Sequence, residues 1–558
     1  MTATFKAPGP GSWQLDGVHF PRPVTKLFAE VFPPSFDAGF REGARIYGSL
    51  LETIEFGTAN GFMYFAPRPV GAPKSATKAP PKFVFQLLLL LHPELRRRTA
   101  SGRGTVAGKR WRQDLSEWDK DRKPAAVAAH LALQAVDLGA LKPNELVAHV
   151  EKALEHWRRM IEQHHRFDAA ALLPVGDFIA HAGEWTGLDP SRLCALLAGA
   201  SDVSSGGSPE LDGLQRALRA DPSALSLIDQ AKSSGEAVAG LRAARGELGA
   251  AARDWLNLVS FRLQNGLDIC ELTNAELPEL LLTTVRRALN GTLGHPAAKA
   301  ADNGAVRDRV PTEHRTQFDD LLAEARLMYR LRDERGLYSD IWAAGIFRHA
   351  VLEAGRRLMA AGRLERADLL VEADASEMRA LLSDRTGPSS AELAARANYR
   401  SMVSPSEAPA TLGPASSGPP PAAWMPRDTA RLETAIGMGI AGIWSESSAP
   451  SEARLVRGLG VSAGLAEGIA RVVHDVTGFA RLKQGDILVT RSTTAAFNVV
   501  LPLLAGIVTD RGGTLSHSAI VAREYGIPAV VGSREATRLI PDGSRIRIDG
   551  TLGEALIL

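Results

Sequence analysis

Cysteine is nearly absent from this chain. Two residues, Cys194 and Cys270, stand far apart in 558. That leaves no disulfide framework and no thiolate spacing for a metal, and it suits a reducing, cytoplasmic setting. An excess of one charge is also missing: 65 Lys and Arg face 63 Asp and Glu for a net charge of +2, so no field draws the chain to nucleic acid or to a membrane surface. Long apolar runs are lacking too. The longest, Phe83 to Leu91 interrupted by Gln86, is too short to span a bilayer and reads as a buried helix segment. The first residues, Met1 to Pro10, have no apolar signal core. No Gly-rich phosphate loop of the P-loop or Rossmann type occurs in the first 400 residues. Metal ligation by His156, His164 or His165 is not expected, because no Glu or Cys stands at a recognised spacing from them.

A hydrophobic content of 45% over 558 residues supports several real cores, and the length suggests about three or four domains. From about residue 81 onward apolar positions recur at three- and four-residue spacing, notably over 144–166, so the first 400 residues read as mainly α-helical. Asn60-Gly61 before an aromatic run at 62–65 reads as a hairpin turn. A flexible loop is expected at 201–209 and a looser stretch at 290–312. Residues 404–426, rich in Pro, form the clearest linker: extended, semi-rigid and too poor in apolar side chains for a core. A second stretch containing Gly and Ser, Ile436 to Glu452, completes it. The organisation is therefore α+β and multidomain: a large helical region at 1–400, a linker at 401–454 and a small α/β domain at 455–558.

The most informative stretch lies in that last domain, from Gly512 to Gly532. Ser516 is placed as an N-cap, Gly526 with Pro528 as a stop, and a buried strand follows. His517 then occupies the first turn of a short helix, where free N–H groups and the helix dipole favour an anion and keep imidazole neutral. The alternative is a surface or capping histidine.

Cations gather elsewhere. Gly11 to Lys26 is turn-rich and carries His19, Arg22 and Lys26, with prolines that stiffen the backbone; it is either the wall of a site or an arm docked by Trp13, Phe20 and Phe28. Arg262 falls late in a helix stopped by Gly266. Arg332 and Arg335 are one turn apart, either a clamp for phosphate or partners of Glu324, Asp333 or Glu334.

The Gly512–Gly532 stretch, with Gly458–Val473, Gly485–Thr494 and Ala505–Asp510, resembles the phosphohistidine swivelling domain of the PEP-utilising enzymes, a family that includes pyruvate phosphate dikinase, PEP synthase, rifampin phosphotransferase and phenylphosphate synthase. The resemblance covers roughly Gly458 to Leu558. It implies that His517 carries a phosphoryl group between two sites. Neutral imidazole attacks phosphorus readily, Gly512 and Gly513 would let the backbone approach the phosphate, and Thr514, Ser516 and Ser518 would donate to its oxygens. Trp13, Asp16 and His19-Phe-Pro-Arg-Pro23 resemble the opening of the acceptor domain in the rifampin phosphotransferase and phenylphosphate synthase group. That likeness favours the site-wall reading of the segment. Phosphoryl transfer needs positioning and charge neutralisation, so the acceptor site should supply cations, for which His19, Arg22, Lys26, Arg262 and Arg332 are the candidates, with His19 also the candidate base.

The ATP-grasp domain that precedes the acceptor domain in rifampin phosphotransferase is not seen. The chain ends at Leu558, 41 residues after His517, too few for the PEP-binding barrel of the dikinase. The resemblance therefore implies the His-carrying subunit of a two-component phosphotransferase, as in phenylphosphate synthase and the alkylphenol kinases. A separate ATP-grasp subunit would hold ATP and Mg2+, cleave ATP to AMP and phosphate, and charge His517. The expected acceptor is the hydroxyl of a small phenol or alkylphenol. Alternatives are a rifamycin-like antibiotic hydroxyl and a phosphocarrier or regulatory protein without a product. No nucleic acid or membrane partner is expected.

Overall fold

A computed structural model of the chain describes residues 4–201, 207–221, 226, 228–291, 303–403, 407–447 and 449–558. Most of the loop expected at 201–209, part of the stretch at 290–312, and Ser404–Ser406 of the linker lie outside the described residues. The chain is α+β, mainly helical with one four-stranded and one eight-stranded sheet. It divides into two compact units, each built from three segments: 1–170, 261–272 and 335–434 in the first, and 171–260, 273–334 and 435–558 in the second.

The first unit is organised by the helix Lys26–Tyr47. Thr25 caps it by accepting from the Phe28 N–H, and Gly48 ends it in the left-handed region. Gly39 and Gly43, one turn apart, let it lie directly on the helix Pro143–Arg166. A Cβ at Gly39 would collide with the Glu162 carbonyl, and one at Gly43 would stand 2.7 Å from the Arg166 carbonyl oxygen. Phe28 stacks on Phe32, and Phe36 and Phe56 continue the aromatic core. This close crossing fixes where the C-terminal turn of Pro143–Arg166, with His164 and His165, sits.

Strands β1 (Trp13–Leu15), β2 (Leu51–Ala59), β3 (Phe62–Pro69) and β4 (Thr411–Leu412) form the small sheet in the order β2-β3-β1-β4. Asn60 and Gly61 take φ of 49° and 78°, the turn that matches hairpin twist. Pairing of β1 with β3 and β4 anchors the segment that carries His19.

Three expectations change here. The apolar run Phe83–Leu91 is helical but not buried: Phe85 and Leu89, four apart, pack inward, while Phe83, Leu90 and Leu91 are 71%, 68% and 66% exposed. One helix face buries only what lies on it. The 401–454 stretch is not all linker. Thr411–Leu412 pairs as β4, and Arg427–Trp444 is an 18-residue helix. Its glycines serve close packing instead of a loop, since a Cβ at Gly442 would stand 2.7 Å from Leu515. Arg262 is not in a helix. The helix Gly246–Val259 ends before it, and Leu263 and Gln264 donate their N–H groups to Ile341 and Leu272, tertiary bonds that replace another helical turn. Arg166 is buried and paired with Asp114 and Glu42.

The second unit contains the eight-stranded sheet: β5 (Leu455–Arg457), β6 (Leu459–Ser462), β7 (Leu465–Val472), β8 (Asp486–Thr490), β9 (Leu504–Thr509), β10 (Ala529–Val531), β11 (Arg545–Asp549) and β12 (Glu554–Ile557), in the order β5-β12-β11-β7-β8-β9-β10-β6. The run β7-β8-β9-β10 is parallel. Its strands are apolar on both faces because both are covered. Leu488 and Ile507 face a core with Val521 and Tyr525, whereas Ile487, Val489 and Val508 face one with Ile546 and Ile548. The helix His517–Tyr525 follows β9 and is capped by Ser516 and by Gly526 at φ 63°, as its sequence signals require. Leu515 and Ile520 from this region join a core with Phe318, Ala325 and Tyr329 of the helix Arg315–Tyr329.

Candidate functional site

Ligand sites in open α/β sheets lie beyond the C-terminal ends of parallel strands. Two neighbouring strands of the second unit place side chains there. The segment after β8 supplies Thr493, and the segment after β9 supplies His517. His517 Nδ1 and Thr493 Oγ1 are 2.9 Å apart. Thr493 is buried and holds one face of a half-buried ring. In the tautomer whose Nδ1–H donates to the hydroxyl, the lone pair resides on Nε2.

Burial pushes the His517 pKa down to about 4; Asp333 opposes the shift and Arg332 adds to it. The ring is therefore neutral at physiological pH, ready to attack without losing a proton first. Arg332, singled out from the sequence, lies close enough to act on His517. It pairs with its neighbour Asp333 at 3.1 Å, one of the partners anticipated for it. Its Nε is buried with no hydrogen-bond partner among the described residues.

The two glycines act differently from expectation. Gly512 has φ 110°, and a Cβ there would stand 2.7 Å from Ser516 Oγ. Gly513 donates its N–H to Ile443 O at 3.1 Å, and Leu515 donates to Gly442 O at 2.7 Å. The N–H groups of Gly513 and Leu515 are thus committed to the end of the helix Arg427–Trp444, and both glycines permit close packing of the loop. Ser516 Oγ accepts from the Ala519 N–H as N-cap. Thr514 and Ser518 are buried.

The other residues singled out lie in the first unit. His19 Nδ1 sits 2.9 Å from Asp16 Oδ2, with Asp16 fully buried. A buried carboxylate on Nδ1 orients the ring and fixes its tautomer, as in a carboxylate-backed general base. Arg22 is bonded to Glu271, and Lys26 reaches Glu377 at 3.4 Å. Arg262 lies over Tyr338 and Trp342, 5.0 and 5.5 Å from their ring centres. His164 lies close enough to His19 to feel its charge, with its Nδ1 2.8 Å from Asp340 Oδ1; His165 Nδ1 is 3.0 Å from Asp168 Oδ2, and Arg335 pairs with Asp168, not with the partners anticipated for it. Burial lowers the His164 pKa, and its neighbours His165 and Arg335 add to that. Burial raises Asp340 to about 7 against the pull of His165 and Arg335. At Asp168 burial is outweighed by Arg335 and His165, and the carboxyl is held at about 2.

The structure thus brings His517, Thr493, Arg332 and Asp333 together in the second unit; His19, Arg22, Lys26 and Arg262 all belong to the first, each with partners of its own. Asp16 was within reach of sequence reasoning, because it stands three residues before His19. Thr493 carried a weaker signal: a Ser/Thr cluster just past a strand that reads as parallel.

A neutral imidazole, bonded through Nδ1, thus stands at the open end of a parallel sheet. Residues 482–553 match the family described as PEP-utilising enzyme, mobile domain. It is 48% identical to a rifampicin phosphotransferase of Streptomyces sp over 123 residues, covering 22% of this chain and 14% of that protein. It is 44% identical to a rifampicin phosphotransferase of Bacillus cereus over 128 residues, 23% of this chain and 14% of that protein. A longer, weaker similarity runs to a chondramide synthase of Chondromyces crocatus, 27% identical over 466 residues, or 80% of this chain and 12% of that protein. The chain spans at most 14% of the length of these curated relatives. Among the described residues, no helix is long and apolar enough to cross a membrane.

Proposed function

We propose that the chain is a phosphotransferase component that carries a phosphoryl group on His517 and delivers it to a hydroxyl of a small aromatic acceptor. The observation that carries this reading is His517 itself, neutral, held by Thr493 and accompanied by Arg332. In the charging step Nε2 of His517 attacks phosphorus. An N–P bond forms as the bond from phosphorus to the donor oxygen breaks. In the second step the acceptor hydroxyl gives its proton to a base, for which His19 backed by Asp16 is suited. Its oxygen then attacks phosphorus, and the N–P bond breaks to restore the imidazole. Arg22, Lys26 and Arg262 are the cations of the acceptor region in this scheme, and the domain 455–558 is the part that moves. ATP and Mg2+ belong to an ATP-grasp partner that supplies the phosphoryl group, and the protein works in the cytoplasm.

A phenol or alkylphenol is the first-choice acceptor. A rifamycin-like hydroxyl is the second reading, favoured by 48% identity to a rifampicin phosphotransferase over 123 residues. The test is partner-free. The chain is charged with potassium phosphoramidate, phosphate on His517 is located by mass spectrometry, and phenol, alkylphenols and rifampicin are added while 31P NMR follows ester formation. Labelling at His517 and a phosphate ester with one acceptor class are expected. Full transfer by His517→Ala would end this reading.

A further inference from the structure

The first unit contains a cluster that the phosphoryl chemistry of His517 does not use. His164 and His165, at the end of Pro143–Arg166, and Asp340, at the start of Asp340–Ala360, each present a ligand atom, and these atoms all lie within 4.8 Å of one another. We propose that His164, His165 and Asp340 form a binding site for a divalent first-row transition-metal ion such as Zn2+, Co2+ or Mn2+.

The tautomer of His165 supports this. Its Nδ1 is engaged by Asp168 at 3.0 Å, which leaves Nε2 as the acceptor nitrogen. That Nε2 is buried and has no hydrogen-bond partner among the described residues, in a residue only 9% exposed. A buried polar atom without a partner is costly, and a cation on its lone pair would remove the cost. The arrangement carboxylate–histidine–vacant nitrogen is the one that orients metal-bound imidazoles. Asp168 is in turn paired with Arg335, so that guanidinium beside the cluster is neutralised by a carboxylate that is not a ligand.

The other two ligands are also preset. His164 Nδ1 and Asp340 Oδ1 are 2.8 Å apart, and an ion would replace the proton they share. The rings of His164 and His165 lie parallel, 4.3 Å apart at 9°, so both nitrogens come from one turn of one helix. Ligand atoms around a first-row ion are roughly 3–4 Å apart, so closure needs a movement of an ångström or less. Two imidazoles and one carboxylate select a borderline ion over Mg2+ or Ca2+, which take oxygen ligands, and over Cu(I), which takes sulfur. Three protein ligands leave at least one position for water. The sequence concealed this set because its third ligand lies far downstream of the histidine pair, beyond any spacing rule.

The test uses the full chain, stripped of metal by a chelator and titrated with Co2+ by visible absorption and with Zn2+ by calorimetry. One equivalent of either ion is expected, with d–d bands characteristic of Co2+ held by nitrogen and oxygen. Asp340→Asn and His165→Gln, checked for folding by circular dichroism, should each weaken binding by about tenfold or more, and Asp168→Asn by about 10- to 100-fold. X-ray absorption of the Co2+-loaded wild type provides a readout that needs no variant, and imidazole scattering from two histidines is expected. The proposal is overturned by no binding at stoichiometric Co2+, by an all-oxygen or sulfur coordination sphere, or by equal binding in folded Asp340→Asn and His165→Gln. His517→Ala should bind the ion as the wild type does; loss of the ion there would place it at His517 and overturn this assignment.

Discussion

The reactivity of His517 should be nearly independent of pH where an ordinary histidine loses its nucleophile. Burial holds its pKa at about 4, with Arg332 assisting and Asp333 opposing. Between pH 8 and pH 5 the neutral fraction then falls by only about a tenth, whereas an ordinary histidine near 6.5 loses about thirtyfold. The assay is the initial rate of phosphoryl uptake from phosphoramidate, quantified at His517 by mass spectrometry. Each rate is divided by that of N-acetylhistidine, corrected for its own titration, which removes the donor's pH dependence. A flat ratio from pH 8 to pH 5 is expected. Arg332→Ala should move the midpoint upward and Asp333→Asn downward. A midpoint near 6.5 in the wild type would refute the reasoning, because it would mean that burial does not govern the ring. The sign for stability follows. The unfolded chain gains a proton at His517 as pH falls below about 6.5 while the folded chain does not, so the wild type loses stability from there down to about pH 4, by roughly 3 kcal/mol at this one group.

Three further outcomes are expected. Thr493→Val removes the hydroxyl 2.9 Å from His517 Nδ1 and should slow labelling of His517 about fivefold, the equivalent of about 1 kcal/mol, while Thr493→Ser restores it. Asp16→Asn leaves His19 without its carboxylate and should cut phosphate-ester formation by about a hundredfold with His517 charging unchanged; unchanged ester formation would remove His19 as the base. Gly39→Ala forces a Cβ against the Glu162 carbonyl and should cost about 1–3 kcal/mol in thermal or denaturant unfolding, whereas Gly104→Ala, with nothing within 4 Å of the new atom, should be neutral or stabilising.

Local chemistry makes part of this protein legible in one dimension. Ser516, Gly526 and the apolar Ala529–Val531 specify a cap, a stop and a buried strand through hydrogen bonds and dihedrals that span a few residues, so the residues alone place the helix that begins at His517. Asn60-Gly61 specifies its hairpin for the same reason. The Phe83–Leu91 run is helical as expected, but which of its side chains are covered depends on what packs against it, and periodicity does not say. The glycines of Ile436–Glu452 mislead because a glycine that permits a loop and one that permits helix contact look alike in sequence.

The division of labour at the two sites has one physical cause. Backbone preferences and side-chain capping act over three or four residues, and they determine the helix start that presents His517. The pKa of that histidine, its partner Thr493 and the proximity of Arg332 depend on strands and helices brought together from distant segments. The same holds for His164, His165 and Asp340, whose meeting depends on two helices crossing. Residue identity by itself determined which chemistry was available; burial and charge, which exist only once the chain has packed, decided which residues can perform it.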